Sequence, residues 1–179
     1  ERVSKAGAKF DPEKTKWFQQ TYLRAQSNSA IAQQLRQIQN LDYTDATLEQ
    51  ICHLMKERAT FAQDILTEGA YLFGQPASFD AEIILKKWKP ETTEYIQEWK
   101  NVVAYLSDFS TEAIEAAFRT FLAEKQLGIG AVLLPYRLVL TGVGAGPGMF
   151  EISAFLGKEE VLARIEMGLR AVESILHEA

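Results

Sequence analysis

The sequence predicts an all-α protein made of two consecutive helical lobes, in the manner of an α-helical bundle or helical cage. Three observations predict it. Apolar residues recur at helical spacing through nearly every segment, capping residues stand ahead of those segments, and alternating strand patterns are absent. At 179 residues, 47% of them apolar and 11% aromatic, the chain has enough apolar surface for a substantial core.

Asp11 followed by Pro12 gives an N-cap and a favoured first helical residue, and Trp17, Phe18, Tyr22 and Leu23 follow at helical spacing. Ala30 to Ile38 reads as a second short helix. Thr47 and Gln50 have capping-box spacing for a helix through Met55, and the pattern resumes with Phe61, Ile65, Leu66, Ala70 and Phe73 until Gly74 stops it. Gln75 to Ser78, which contains Pro76, divides the chain into lobes at 1–77 and 78–179. In the second lobe Asp80 caps Ile83 to Trp88, and Pro90 opens a helix presenting Tyr95, Ile96, Trp99, Val102 and Leu106. Ser110 with Glu112 starts another, carrying Ile114, Ala117, Phe118, Phe121 and Leu122 and ending near Gly128. Ala131 to Thr141 has a strand-like composition, but Pro135 would remove a ladder donor, so a helix starting or bending there is expected. Lys158 onward is amphipathic to the end of the chain.

Net charge is -5, which by itself disfavours nucleic acid, since phosphate binding is driven by Lys and Arg. The distribution is uneven. Residues 1–24 hold six basic residues against three acids, so that end is +3 and the remainder -8, and Arg119 to Lys158 holds four basic residues against two acids. Beyond a Debye length of about 8 Å the distant acids are screened, so a local basic patch can act alone. Charges scattered over a solvated surface would read the same way. The single cysteine, Cys52, excludes an internal disulfide. No apolar run approaches the ~20 residues of a membrane span and no secretory signal opens the chain, so a cytoplasmic monomer with no membrane contact is expected. A start at Glu1, without methionine and inside a charged run, suggests a piece of a longer chain.

The stretch with most functional information is Leu134 to Gly157, LPYRLVLTGVGAGPGMFEISAFLG. Arg137 is its only charge before Glu151, and Gly142, Gly144, Gly146 and Gly148 alternate around Pro147 in a turn whose backbone something can approach closely. A dinucleotide fingerprint fails, because the sixth position is Pro147 counted from Gly142 and Met149 counted from Gly144. A Walker A loop also fails for want of a following Lys-Ser or Lys-Thr. Cys52 and His53 are adjacent and His177 is remote, which suits neither a metal site nor a Cys-His nucleophile. The sequence offers no catalytic residues, no metal ligands and no cofactor site.

Three stretches, ERVSKAGAKFDPEKTKWFQQTYLR, HLMKERATFAQDILTEGAYLF and LPYRLVLTGVGAGPGMFEISAFLGKEEVLARI, carry a resemblance in the same order over nearly the whole chain. Together they resemble the C-terminal anticodon-binding region of bacterial glutamyl-tRNA synthetase, a class I aminoacyl-tRNA synthetase. The nucleotide-binding domain of that family, with its HIGH-like and KMSKS-like signatures, is not among these residues. The resemblance therefore implies a tRNA-reading module and no enzyme by itself. The parent would be a glutamate–tRNA ligase using ATP and Mg.

The family reads anticodon bases splayed from a single-stranded loop. The resemblance implies Arg137, Gly146, Pro147 and Met149 as readers of the first two anticodon positions, with Arg119 nearby, and Arg58 as reader of the third. An arginine has only donors, while the Watson–Crick edge of cytosine offers two acceptors and that of guanine two N–H donors. Arg58 would then favour the final C of a glutamate anticodon over the final G of a glutamine one. Lys5, Lys9, Lys14 and Lys16 would face the tRNA backbone. Gln19 stands where the family's WxNxxY motif has asparagine, moving the amide out by one methylene. A structural reading remains beside each assignment: Met149 and Phe150 as core residues at a helix start, Arg137 as a surface residue with a buried stem, and Arg58 as an ion-pair partner of Glu57 or Asp64. A helical protein-interaction module without RNA binding is the competing class.

Overall fold

A computed structural model of the chain describes residues 12–178. Among these residues it holds ten α-helices, two short 3-10 turns and no strand. The chain divides into two compact units, Glu1–Glu68 and Gly69–Ala179.

The first unit contains α1 (Pro12–Ala25), α2 (Asn28–Ile38), α3 (Asp45–Met55) and α4 (Ala62–Glu68). The expected Asp11 cap lies outside the described residues. Ser27 caps α2 by accepting from the Ala30 N–H at 3.1 Å. Thr44, rather than Thr47, caps α3: its hydroxyl accepts from the Thr47 N–H at 3.1 Å, so the expected Thr47–Gln50 box lies inside the helix. The Asp64 carboxylate accepts from the N–H groups of Thr60 and Phe61 at 2.8 and 2.9 Å and so starts α4. The single helix expected up to Gly74 instead stops at Glu68, and a 3-10 turn follows at Ala70–Leu72. Ile31, Leu35, Leu48, Ile51, Cys52, Met55 and Ile65 form the core between α2, α3 and α4. Helix α1 contributes Leu23 alone: Trp17, Phe18 and Tyr22 remain 59%, 53% and 68% exposed.

The second unit contains α5 (Ala81–Lys87), α6 (Thr92–Tyr105), α7 (Thr111–Glu124), a 3-10 turn at Ile129–Ala131, α8 (Leu133–Thr141), α9 (Met149–Leu156) and α10 (Lys158–His177). Asp80 and Ser110 cap α5 and α7 as the sequence suggests, accepting from Ile83 N at 3.0 Å and Ala113 N at 3.3 Å. Helix α8 buries Pro135, Tyr136, Leu138, Val139, Leu140 and Thr141, which is why its sequence reads as apolar all round. Pro135 falls in its first turn, where a missing N–H costs nothing. Trp99, Phe118 and Tyr136 meet edge to face or stacked, with ring centroids 5.0 Å (Trp99–Phe118) and 5.7 Å (Trp99–Tyr136) apart. The Ser153 hydroxyl donates to Met149 O at 2.7 Å, so the Tyr136 hydroxyl, 2.7 Å from Ser153 Oγ, is the donor of that second bond. Helix α10 packs along α8, α6, α5 and α9. A Cβ at Gly168 would stand 2.6 Å from Val139 Cα and O, so glycine there sets how closely α10 crosses α8.

The division after Glu68 comes before the Pro76 turn. Tyr71 and Leu72 are buried in the second unit, and the carbonyls of Tyr71 and Gly74 accept from Arg164 of α10. The residues ahead of α5 thus form a strap belonging to the second unit.

Candidate nucleic-acid interface

In the second unit the candidate site is the connection from α8 to α9. Helix α8 ends because Gly142 takes a left-handed conformation, with φ of 75°, and its N–H closes on Leu138 O at 2.9 Å. Gly142 O accepts from Asp80 N at 2.8 Å, and the space a Cβ would fill is taken by Ser78 O. The Arg137 guanidinium reaches forward to donate to Pro147 O at 2.7 Å, spanning the loop from one helix to the other. At Gly146 an added Cβ would stand 2.8 Å from both Arg137 Nη1 and the Tyr71 hydroxyl. Ile83 and the Glu151 carboxylate cover Gly144 and Gly148 in the same manner. The groups that approach these glycines are therefore the protein's own, and the loop is held in one shape.

Arg137, Gly146, Pro147 and Met149 are brought together, but not all are presented alike. Arg137 and Gly146 are half-buried and Pro147 is buried. Met149 is 3% exposed, so its thioether packs into the core and offers no face to a base, as in its alternative reading as a core residue at a helix start. Phe150 is half-buried with its ring 5.3 Å from Phe118. The loop faces solvent at Val143, Ala145 and Gly148 instead. Arg119 projects from α7 and is exposed, with Nη2 2.6 Å from the Glu115 carboxylate. A surface pair of this kind is weak enough to yield to a ligand.

In the first unit Arg58 follows α3 and is exposed. The two acids that would give it a purely structural role are engaged elsewhere. Glu57 pairs with Arg24 at 3.2 Å, and Asp64 caps α4. No acid among the described residues holds Arg58 in an ion pair. Lys14, Lys16 and Gln19 are exposed on α1, Lys14 lying over the Phe18 ring at 5.9 Å. The amide that ties α1 to the unit is that of Gln20, which donates to Thr60 Oγ1 at 3.3 Å. Lys5 and Lys9 lie outside the described residues.

Burial drives the Cys52 thiol up to about 12, reinforced by the Glu49 carboxylate, so it stays protonated at neutral pH. Among the described residues no group of three or more His, Cys, Asp and Glu side chains is placed to hold a metal ion, and no helix is long and apolar enough to cross a membrane.

Arg164 escaped the sequence reading. It is 2% exposed and donates to Tyr71 O at 2.7 Å, Gly74 O at 2.8 Å and Leu140 O at 3.2 Å, with Nε 2.6 Å from Glu160. The signal was available: Arg164 sits within the apolar stripe Val161, Ile165, Gly168, Leu169 and Val172 of α10, where a solvated arginine does not belong.

A family model described as an anticodon binding domain matches residues 22–169. The chain belongs to that family. Relatives of this anticodon-binding domain include a glutamate–tRNA ligase of Phocaeicola vulgatus, 39% identical over 175 residues, with 96% of this chain and 34% of the relative covered. Another, from Christiangramia forsetii, is 34% identical over 178 residues, covering 98% of this chain and 35% of the relative. Among solved structures, a glutamate tRNA ligase from Elizabethkingia meningosepticum in complex with its amino acid superimposes with a TM-score of 0.84 at 38% identity, covering 94% of this chain and 34% of that one. A glutamate-tRNA synthetase from Elizabethkingia anophelis superimposes with a TM-score of 0.78, also at 38% identity, over 92% of this chain and 33% of that one. The anticodon-binding domain thus spans about a third of the length of the relatives it matches.

Proposed function

We propose that this chain is the anticodon-binding portion of a cytoplasmic glutamate–tRNA ligase. It reads the anticodon loop of glutamate tRNA, as a monomer without catalytic residues or cofactor of its own, while the rest of the parent protein attaches glutamate with ATP and Mg. The family match over residues 22–169 is the observation that carries this reading. Its first lobe contributes Arg58, with Lys5, Lys9, Lys14, Lys16 and Gln19 toward the RNA backbone. Its second contributes Arg119, Arg137, Gly146, Pro147 and Met149.

The chemistry supports distinct roles for these groups. Arg58 follows a helix end with its neighbouring acids already engaged, so its donors suit the two acceptors of a cytosine edge and clash with the donors of guanine. The Arg137 guanidinium, with Nη1 enclosed and Nη2 donating to Pro147 O, fixes the backbone edge that a splayed base would meet. Gly146 and Pro147 supply backbone edges. Met149 holds the end of the loop from inside the core. The lysines contact phosphate and carry no sequence information.

An anticodon stem-loop RNA titrated with the 179-residue chain tests the reading. Affinity should fall with rising salt, with a log–log slope of about -0.7 for each phosphate neutralised in a single strand. A helical protein-interaction module would give no RNA binding at any salt. Replacing Arg58→Gln should raise binding of a stem-loop ending in G relative to one ending in C by about tenfold, the scale of one base-edge contact. An unaltered ratio would remove Arg58 from the reader.

A further inference from the structure

We infer that Arg164 is a positioning residue for the anticodon-reading loop and that Tyr71 is the arm through which it acts; this rests on the anticodon-reading function proposed above. The hydrogen bonds of Arg164 go to groups outside the loop. Its guanidinium is buried among three carbonyl oxygens, those of Tyr71, Gly74 and Leu140, at 2.7 to 3.2 Å, and Glu160 balances its charge. Leu140 O is one of the last carbonyls of α8, which the helix cannot satisfy itself, and a cation at a helix C-terminus is favourable. The other two carbonyls belong to the strap, which has no regular ladder to fix it. Pinning Tyr71 by its carbonyl places its ring beneath the loop, where the hydroxyl occupies the space beside Gly146 that Arg137 shares. Further along, the strap supports the loop again through Asp80 N and Ser78 O at Gly142. The connection therefore runs Arg164, Tyr71, then Gly146 and Arg137.

A lysine keeps the charge opposite Glu160 but gathers its three donors on one nitrogen, which cannot span the Glu160 carboxylate and the three carbonyls that Arg164 reaches from Nε, Nη1 and Nη2. Arg164→Lys therefore releases the strap while sparing the ion pair. Tyr71→Phe removes only the hydroxyl beside Gly146. Three stem-loops distinguish a positioning role from general damage: one with a glutamate anticodon, one altered at the first two anticodon positions, and one with G in place of C at the third.

In both variants, preference for the glutamate anticodon over the RNA altered at the first two positions should drop about tenfold, the scale of one base contact. Preference at the third position, assigned to Arg58 in the other unit, should hold. Equal loss in both preferences, or no loss in either, overturns the inference. Where Arg164→Lys does not fold, Tyr71→Phe decides. An RNA-free readout separates this inference from the function beneath it. The amide resonances of Gly142, Gly144 and Gly146 should shift or broaden in Arg164→Lys without ligand, and an undisturbed set overturns the positioning role even in a chain that binds RNA. If those resonances move but the unaltered chain ignores all three RNAs, the anticodon-reading function fails and the pin stands.

Discussion

Gly146 is hemmed in from two sides at once. Two side-chain ends, Arg137 Nη1 and the Tyr71 hydroxyl, each stand 2.8 Å from where a Cβ would go, and Arg137 is further held by Pro147 O. Gly146→Ala should therefore displace both, costing on the order of 1–3 kcal/mol as an overpacked site does and weakening stem-loop binding. Gly130→Ala, which meets nothing within 4 Å, is the control and should stay within about 0.5 kcal/mol in urea denaturation. Equal midpoints for the two variants would contradict the packing described. The importance of these glycines was legible in the sequence, but not its direction, because spacing reports that a backbone is approached and not by what. Arg58 was similarly half legible. Only the structure reveals that Glu57 and Asp64, its nearest acids, are taken by Arg24 and by the start of α4.

Between elements, the α8–α10 crossing decides the architecture of the second unit. Alanine normally gains about 1 kcal/mol over glycine inside a helix. At Gly168 the steric term should win, because the colliding atoms are Val139 Cα and O, backbone that cannot rotate away. Gly168→Ala should lower the thermal midpoint and broaden the near-UV signal of Trp99 and Tyr136; a rise in midpoint would show that the crossing relaxes freely. Most helices were readable from capping residues and apolar spacing, and Ser110 and Asp80 act as expected. Two were misread for local reasons. Thr44 and Thr47 are both competent caps three residues apart, and only the chain direction entering α3 selects the first. The apolar pattern through Phe73 continues past Glu68 because the 3-10 turn buries Tyr71 and Leu72 on a different partner. Helix α1 shows the limit of spacing as a guide: its aromatic residues recur at helical intervals, yet the first unit covers only Leu23.

Over the whole molecule, both units carry a buried group whose neutral form folding protects. Burial raises the Cys52 thiol in the first unit from 9.0 to about 12, and raises the Tyr136 hydroxyl in the second from 10.0 to about 12. In each case the unfolded chain loses its proton at a lower pH than the folded one, so between those values folding retains a proton that unfolding releases. Stability from these groups is complete below about pH 9, then declines as pH rises toward 12. Thermal midpoints should be level from neutral pH to that point and fall above it, with Cys52→Ala flattening the decline of the first unit. A decline beginning below pH 8 would place its cause elsewhere.

The Arg164 pin also imposes an order on synthesis. Its partners Tyr71 and Gly74 are 93 and 90 positions upstream. At roughly 5–20 residues per second, the strap leaves the ribosome on the order of 5–20 s before the side chain that fixes it exists. Throughout that interval the strap waits with two carbonyls open to water, and it is fixed only as α10 docks. Helix α10 thus supplies the closing step for the strap, and under the proposed function a nascent chain interrupted before Arg164 would carry all the proposed anticodon readers without the contact that positions their loop.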